Sequence, residues 1–271
     1  MTVFLIVLGA VLLLAAIYFF LLLRITPRQI ENSAVLCDYA HRGLHGGGVP
    51  ENSLAAFALA AEKGYGIELD VQLSKDGEVM VFHDYTLERM TGREGKLAEM
   101  DLSELAELRL CGTDERIPKL SEVLALVDGR VPLLIELKGE DLSVKLCRKL
   151  ADIMNGYGGA YIIESFNPIL LGRASKLMPD VYRGLLYTNV CKNKKSYTPV
   201  NIAVSIMALN FKAKPDFVAY DKTCRESFVV KLTAGLYGAR RFSWTQKNGD
   251  EFAEAKKYGE CTIFEGFLPK K

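Results

Sequence analysis

The chain has 271 residues, 49% of them apolar, and carries 34 Lys and Arg against 33 Asp and Glu, a formal net charge of +1. That length holds one α/β barrel of about 200–250 residues or two smaller domains, with apolar content to spare for a core. Near-neutral charge argues against a nucleic-acid-binding surface. The short basic runs at Lys192 to Lys195 and at Lys270-Lys271 read as solvated surface.

Thr2 to Leu23 contains no charged side chain, and about 20 apolar residues span a bilayer as a helix. A cleaved signal peptide would have a shorter apolar stretch, a basic start and a small-residue cleavage site. Here nothing basic precedes the span, and it ends in Leu-Leu-Leu-Arg24. Residues 1–24 are therefore expected to form an uncleaved transmembrane anchor. Arg24 and Arg28 follow it, which puts the C-terminal side in the cytoplasm by the positive-inside rule. The six cysteines are widely spaced, with no C-x-x-C and so no zinc or redox motif. They suit a reducing compartment, although an even count leaves an extracellular disulfide reading open.

After a connector over 25–34, short apolar runs alternate with helical patterns through a domain expected at 35–271. Val35 to Ala40 reads as a strand delivering His41, and the loop to Glu51 is glycine-rich. Asn52 or Ser53 can cap a helix through Lys63. Ile67 to Leu73 and Val79 to Phe82 read as strands joined by the turn Lys75-Asp76-Gly77, a hairpin. Residues 85–116 form an excursion with an amphipathic stretch, Leu102 to Leu110. Helices are then expected at Leu120–Val127, Leu142–Met154, Ile169–Leu177, about Ile202–Leu209, Ser227–Leu236 and Phe252–Lys257. Strands are expected at Leu133–Leu137, Tyr161–Ile163, Val181–Leu186, Phe217–Tyr220, Arg241–Trp244 and Cys261–Phe264. Leaving out the hairpin's return strand, eight strands alternate with helices, which predicts a parallel sheet closed as a TIM (β/α)₈ barrel with a small insertion after the hairpin. A doubly wound open sheet is the runner-up, but Gly46-Gly47-Gly48 is a poor dinucleotide fingerprint.

Catalytic groups of such barrels sit at the C-terminal ends of strands. Two of the three histidines, His41 and His83, fall at such ends, and histidines beside clustered carboxylates suit proton transfer. Glu68 and Asp70 lie at i and i+2, so they share a face, as do Glu136 and Lys138. Charges on apolar strands are costly unless paired or metal-bound. Three converging carboxylates would repel one another without a cation, and hard oxygen ligands suit Ca²⁺ or Mg²⁺ rather than zinc. Each residue also has a structural reading: a solvated strand face for Glu68 and Asp70, an ion pair for Glu136 and Lys138, an interior histidine for His83. Glu51-Asn52 can equally be a turn and helix cap, Trp244 packing or a pocket wall, and His45 reads as a loop residue without a role.

Taken together, His41-Arg42, Pro50-Glu51-Asn52-Ser53, Glu68-Leu69-Asp70-Val71, Lys75-Asp76-Gly77 and His83-Asp84 resemble the glycerophosphodiester phosphodiesterases. Ile117-Pro118-Lys119-Leu120, Ile135-Glu136-Leu137-Lys138, Glu164-Ser165-Phe166 and Trp244-Thr245 look like that family's later blocks, so the resemblance covers nearly all of residues 35–268. It implies a TIM barrel and one divalent cation, Ca²⁺ or Mg²⁺, held by Glu68, Asp70 and Glu136. It further implies His41 and His83 as general acid and base, and Arg42 and Lys138 on phosphate oxygens. Residues 85–116 would be the family's inserted segment. Attack by the substrate's glycerol 2-hydroxyl would give a cyclic phosphate that water opens.

Two departures stand out: Glu265 follows the last strand where the family usually carries Asp, and the pattern is poor around Lys192 to Pro199. The expected partners are a small-molecule or lipid glycerophosphodiester and the membrane, with no nucleic acid and no protein partner inferred. The alternatives are lysophospholipase D or cyclising phospholipase D-like activity, and a non-catalytic binding protein on the same scaffold.

Overall fold

The computed structural model describes residues 1–25, 27–139 and 144–269. Its organising element is a ring of eight parallel strands: β1 (Tyr39–Ala40), β2 (Gly66–Leu73), β4 (Leu133–Leu137), β5 (Tyr161–Ser165), β6 (Arg183–Tyr187), β7 (Phe217–Asp221), β8 (Arg240–Gln246) and β9 (Cys261–Phe264). β9 pairs back onto β1, which closes the barrel. β3 (Val79–Val81) returns antiparallel to β2 outside the ring. Strands covered on both faces read as continuous apolar runs. β4, Leu-Leu-Ile-Glu-Leu, is such a run, wholly buried and broken by one acid.

The barrel interior is filled by alternate residues of several strands, among them Tyr39, Leu134, Ile162, Phe217, Phe242 and Ile263. Gly184 on β6 makes room for this layer, since a Cβ there would stand 2.0 Å from the Phe217 ring. A second layer packs helices Leu54–Lys63, Leu120–Val127 and Lys145–Met154 against the outer strand faces. Residues 85–116 carry a small core of their own, in which Leu87, Met90, Leu97 and Leu105 pack against Met80 and Phe82.

The predicted strands lie within one to two residues of the observed ones, apart from the first. Asn32 caps a short turn at Ser33–Val35, which leaves only Tyr39–Ala40 paired. Of the helix expected at Leu142–Met154, Lys145–Met154 is observed, and Leu142 lies outside the described residues. The chain after β6 differs more. Helices run over Val190–Lys194, Pro199–Ser205 and Asn210–Ala213. Thr198 caps Pro199 at the first helical position, and Met207 at φ 52° breaks the helix before Leu209. After β7, a helical turn at Phe228–Lys231 widens into a π turn over Leu232–Leu236.

One described helical segment is long and apolar enough to cross a membrane, Thr2–Leu22. From its end the chain descends the barrel wall. Asn210 Nδ2 donates to Leu23 O at 2.8 Å, and Leu23 and Ile25 are buried. At the barrel bottom Arg28 grips Asp216 through Nε (2.9 Å) and Nη2 (2.7 Å).

Near β7 and β9, Glu260 is buried and accepts from Arg225 at 2.8 and 3.0 Å and from the Tyr220 hydroxyl. Removing one member of a buried ion pair strands the other and costs about 3–5 kcal/mol. Glu260→Ala should therefore lower unfolding stability by about 3 kcal/mol, read by urea denaturation followed through Trp244. A loss below about 1 kcal/mol would show that Arg225 finds water instead.

Candidate active site

Register builds the floor of the mouth. Asp70 on β2 is level with Glu136 on β4, and Glu136 with Glu164 on β5. Neighbours at one level of a parallel sheet point the same way, so three acids line up at the C-terminal end of the barrel. Glu68 lies one level deeper on β2. All four are buried.

The loop after β1 closes around them. Arg42 and Asn52 both take the left-handed conformation, with φ 54° and 52°. Non-glycine residues hold such values at a cost when their surroundings fix them. Here Arg42 N donates to Glu68 Oε2 at 2.8 Å, and Asn52 N donates to Arg42 O at 2.9 Å. Of the two candidate helix caps, Ser53 serves, its Oγ accepting from Ala56 N. Asn52 is turned inward instead, and its Nδ2 donates to Asp70 Oδ2 at 2.8 Å. The expected cation ligands therefore converge: one carboxylate oxygen each of Glu68, Asp70 and Glu136 lie within 4.8 Å of one another. Lys138, just past the end of β4, reaches Glu136 Oε1 at 2.9 Å and Asp70 Oδ1 at 3.1 Å. Arg42 Nε is 3.5 Å from Asp70.

The two histidines flank this group, each oriented by a carboxylate. His41 Nδ1 donates to Glu265 Oε2 at 2.6 Å, which leaves Nε2 facing the acids, 4.0 Å from Glu68. His83 Nδ1 bonds Asp84 Oδ1 at 2.7 Å. Asp84 also accepts from Arg89, and Arg89 with Arg42 clasps Glu51. The inserted segment thus holds His83 in place through Arg89. His45 faces the same cavity, with Nε2 3.9 Å from Glu265.

Burial and charge set the protonation landscape. Burial first, and then Asp70, push the Glu136 carboxyl up to about 7, against the pull of Lys138. Burial and the surrounding acids hold Glu68 and Glu164 well above the ordinary carboxylate range. Asp70 goes the other way: burial would raise it, but Lys138, His83 and Arg42 outweigh that and keep it ionised. Burial lowers His83, with Asp70 opposing. Glu265 drops to about 2, chiefly through its bond to His41. Glu164 Oε2 is buried without a hydrogen bond, and Asp70 Oδ1 has only the Lys138 ammonium at 3.1 Å. Oxygens so sparsely partnered, in an all-carboxylate cluster, fit a hard divalent cation.

The cavity above has a volume of about 430 Å³. One wall is charged: His41, Arg42, Glu51, Glu68, His83 and Glu136. The other is apolar: Phe166, Leu186 and Trp244. Trp244 stands edge-on to Phe166 at 5.7 Å, so it walls the pocket as well as packing. Three residues lay outside the sequence-predicted site. Glu164, an acid in the apolar strand Tyr-Ile-Ile-Glu-Ser, could have been found by the reasoning that singled out Glu136. Glu265 stood out only as a departure from the resemblance. Arg89, in the insertion, carried no signal.

A closed barrel with an acidic, imidazole-flanked mouth defines the class, and the sequence comparisons give the lineage. The chain belongs to the glycerophosphoryl diester phosphodiesterase family, whose model matches residues 41–264. A glycerophosphodiester phosphodiesterase of Caldanaerobacter subterraneus subsp. tengcongensis is 41% identical over 161 residues, 55% of this chain and 65% of that protein. This chain thus matches just under two thirds of that relative's length. Among solved structures, a phosphodiesterase of Oleispira antarctica, in complex with the product sn-glycerol-3-phosphate, superposes with a TM-score of 0.69 at 23% identity. It covers 84% of this chain and 92% of its own. A glycerophosphodiester phosphodiesterase of Thermotoga maritima gives 0.66 at 27% identity, covering 84% of this chain and 94% of its own.

Calorimetric titration of the full chain with Ca²⁺ or Mg²⁺ should give one site, and saturation should raise the melting temperature. Asp70→Asn should abolish both effects. Binding that survives this change would separate the cation from the acid cluster.

Proposed function

We propose that this chain hydrolyses glycerophosphodiesters to an alcohol and glycerol 3-phosphate, with Glu68, Asp70 and Glu136 holding one Ca²⁺ or Mg²⁺. The observation that carries this reading is the pair of carboxylate-oriented histidines lining one cavity with an acid cluster whose oxygens converge within 4.8 Å. When bound, the cation supplies charge neutralisation at the phosphoryl oxygens.

The chain's own groups supply the rest. Lys138 and Arg42 add positive charge where phosphoryl charge grows, and a preorganised donor in a dry site is worth more than in water. With Nδ1–H committed to Glu265, His41 Nε2 is free to take or return a proton. His83, tied to Asp84 through Nδ1, does the complementary transfer. One imidazole accepts the proton of the attacking hydroxyl as its oxygen bonds phosphorus. The other protonates the alcohol as its P–O bond breaks. If the substrate's own 2-hydroxyl attacks, water then opens the cyclic phosphate with the roles reversed. Glu51 acts by fixing Arg42, and Trp244 by walling the pocket. The assigned organisation is an anchor at 1–24, a connector at 25–34 and a barrel domain at 35–271 with its insertion at about 85–116. The anchor reading favours a cytoplasmic catalytic domain.

His41→Ala and His83→Ala should each lower turnover at least about 100-fold while leaving the melting curve in place. Phosphorus NMR of the products reads this, and near-normal rates in either variant would refute the proton-transfer roles. EDTA should stop turnover and added Ca²⁺ or Mg²⁺ restore it, whereas chelator-resistant activity would remove the cation from the reaction.

Glu265 is assigned as a positioning residue. Glu265→Ala should cut kcat about 10–100-fold with KM little changed, and Glu265→Asp should recover most of the loss. Equal rates in Ala and Asp variants would deny it that part.

A further inference from the structure

Among the described residues, two groups of side chains could hold a metal ion, and only one of them is all carboxylate. Glu68, Asp70 and Glu136 are the first. His41, His45 and Glu265 are the second: one ligand atom from each lies within 4.8 Å of the others.

Backbone register builds the second group. Ala40 on β1 is level with Phe264 on β9, so the next residues, His41 and Glu265, leave the sheet side by side. His41 N donates to Phe264 O at 2.9 Å and Glu265 N to Gln246 O at 3.0 Å, which fixes both backbones. His45 returns to them through a tight turn. Gly43 takes φ 81°, and a Cβ there would meet Ala56 at 2.8 Å. Leu44 N donates to Ala56 O, and Gly46 and Val49 exchange backbone hydrogen bonds of 2.9 and 3.1 Å. The turn thereby carries the imidazole into the cavity that His41 and Glu265 also line.

His41 Nδ1 and His45 Nε2 both approach one oxygen, Glu265 Oε2, at 2.6 and 3.9 Å. His45 Nε2 is buried and makes no hydrogen bond. Ligands about 2.0–2.1 Å from a tetrahedral ion stand about 3.3 Å apart. That spacing falls between the two separations, so small side-chain rotations close the site. Lys247 pairs with the other oxygen, Glu265 Oε1, at 3.1 Å and leaves Oε2 to the rings. Two imidazoles, one carboxylate and an open fourth position suit zinc, whereas Ca²⁺ and Mg²⁺ take oxygens.

We propose that His41, His45 and Glu265 form a zinc site separate from the acid cluster, and that Zn²⁺ bound there stops turnover. The inhibition rests on the diesterase reading above, in which His41 carries a proton. A neutral imidazole has one proton, on one of its two nitrogens. With zinc on Nδ1, that proton moves through water to Nε2. Turnover needs Nε2 to accept a proton in one half of the reaction, and it no longer has a lone pair to do so. Its N–H instead faces Glu68, 4.0 Å away. Glu265 is drawn from orienting His41 to holding the ion.

The test titrates Zn²⁺ into the full chain in detergent micelles already saturated with Mg²⁺. Calorimetry should show one zinc site. Diffraction at the zinc absorption edge should place it about 2.0–2.2 Å from His41 Nδ1, His45 Nε2 and Glu265 Oε2. Filling the site should slow glycerophosphocholine hydrolysis at least about 100-fold, the loss expected for an acid–base group, and excess Mg²⁺ should not restore it. His45→Ala and His45→Gln should each raise the half-inhibitory zinc concentration at least about tenfold, since loss of even an outer-shell partner costs that much. Each rate is compared with the same variant's zinc-free rate.

Zinc found on Glu68, Asp70 and Glu136, or inhibition that excess Mg²⁺ reverses, would overturn the proposal. So would zinc seated on the three residues with turnover unchanged, or inhibition indifferent to both His45 substitutions. Calorimetry and the zinc-edge peak do not depend on turnover. A zinc-free chain that leaves glycerophosphocholine intact would sink the diesterase reading and the inhibition with it, and the peak alone would then uphold or overturn the zinc site.

Discussion

The mouth of this barrel concentrates more negative charge than its own cations neutralise. Glu68, Asp70, Glu136 and Glu164 are all buried there, and the positive groups among them are Lys138 and Arg42. If all four acids ionise, four negative charges face two positive ones, a deficit of two. Buried charge is expensive unless compensated. Protons can supply the compensation: burial first, and the neighbouring acids behind it, push three of the four carboxyls upward. A divalent cation can supply it with two charges at the point where oxygens of Glu68, Asp70 and Glu136 converge. The rest of the site is arranged around that deficit.

Strand register and local strain create the arrangement. A shift of one residue in the pairing of β2 with β4 would turn Asp70 or Glu136 out of the mouth. The left-handed Arg42 and Asn52 bring a backbone N–H to Glu68 and a side-chain amide to Asp70, two donors that favour the ionised forms. The insertion contributes through Arg89, which couples Glu51, Asp84 and His83. The histidines are thereby held from opposite sides of the chain's order, one by the end of the barrel domain and the other by its insertion.

Most of the barrel could be read from the amino-acid pattern because its strands are buried on both faces and are bounded by polar turns. Leu133–Leu137 and Cys261–Phe264 were expected at the bounds the structure shows. Short helices after β6 were less legible. They depend on the Thr198-Pro199 start and on the left-handed Met207, which helical periodicity does not report. In the site, paired charges on apolar strands pointed to Glu68, Asp70, Glu136 and Lys138. Glu164 obeys the same rule and was passed over as a ligand or neighbour. Glu265 illustrates the opposite limit: it stood out only as a departure from the family's usual Asp, yet its carboxylate meets His41 Nδ1 at 2.6 Å. Contacts across the chain, such as Arg89 to Glu51, have no local signature.

The charge deficit is tested most directly by diffraction from crystals of the full chain grown with Mn²⁺ as an anomalous stand-in for Mg²⁺ or Ca²⁺. The account predicts one strong anomalous peak about 2.0–2.6 Å from oxygens of Glu68, Asp70 and Glu136. A mouth with no peak at saturating Mn²⁺, or a peak bound instead by His41, His45 and Glu265, would contradict it.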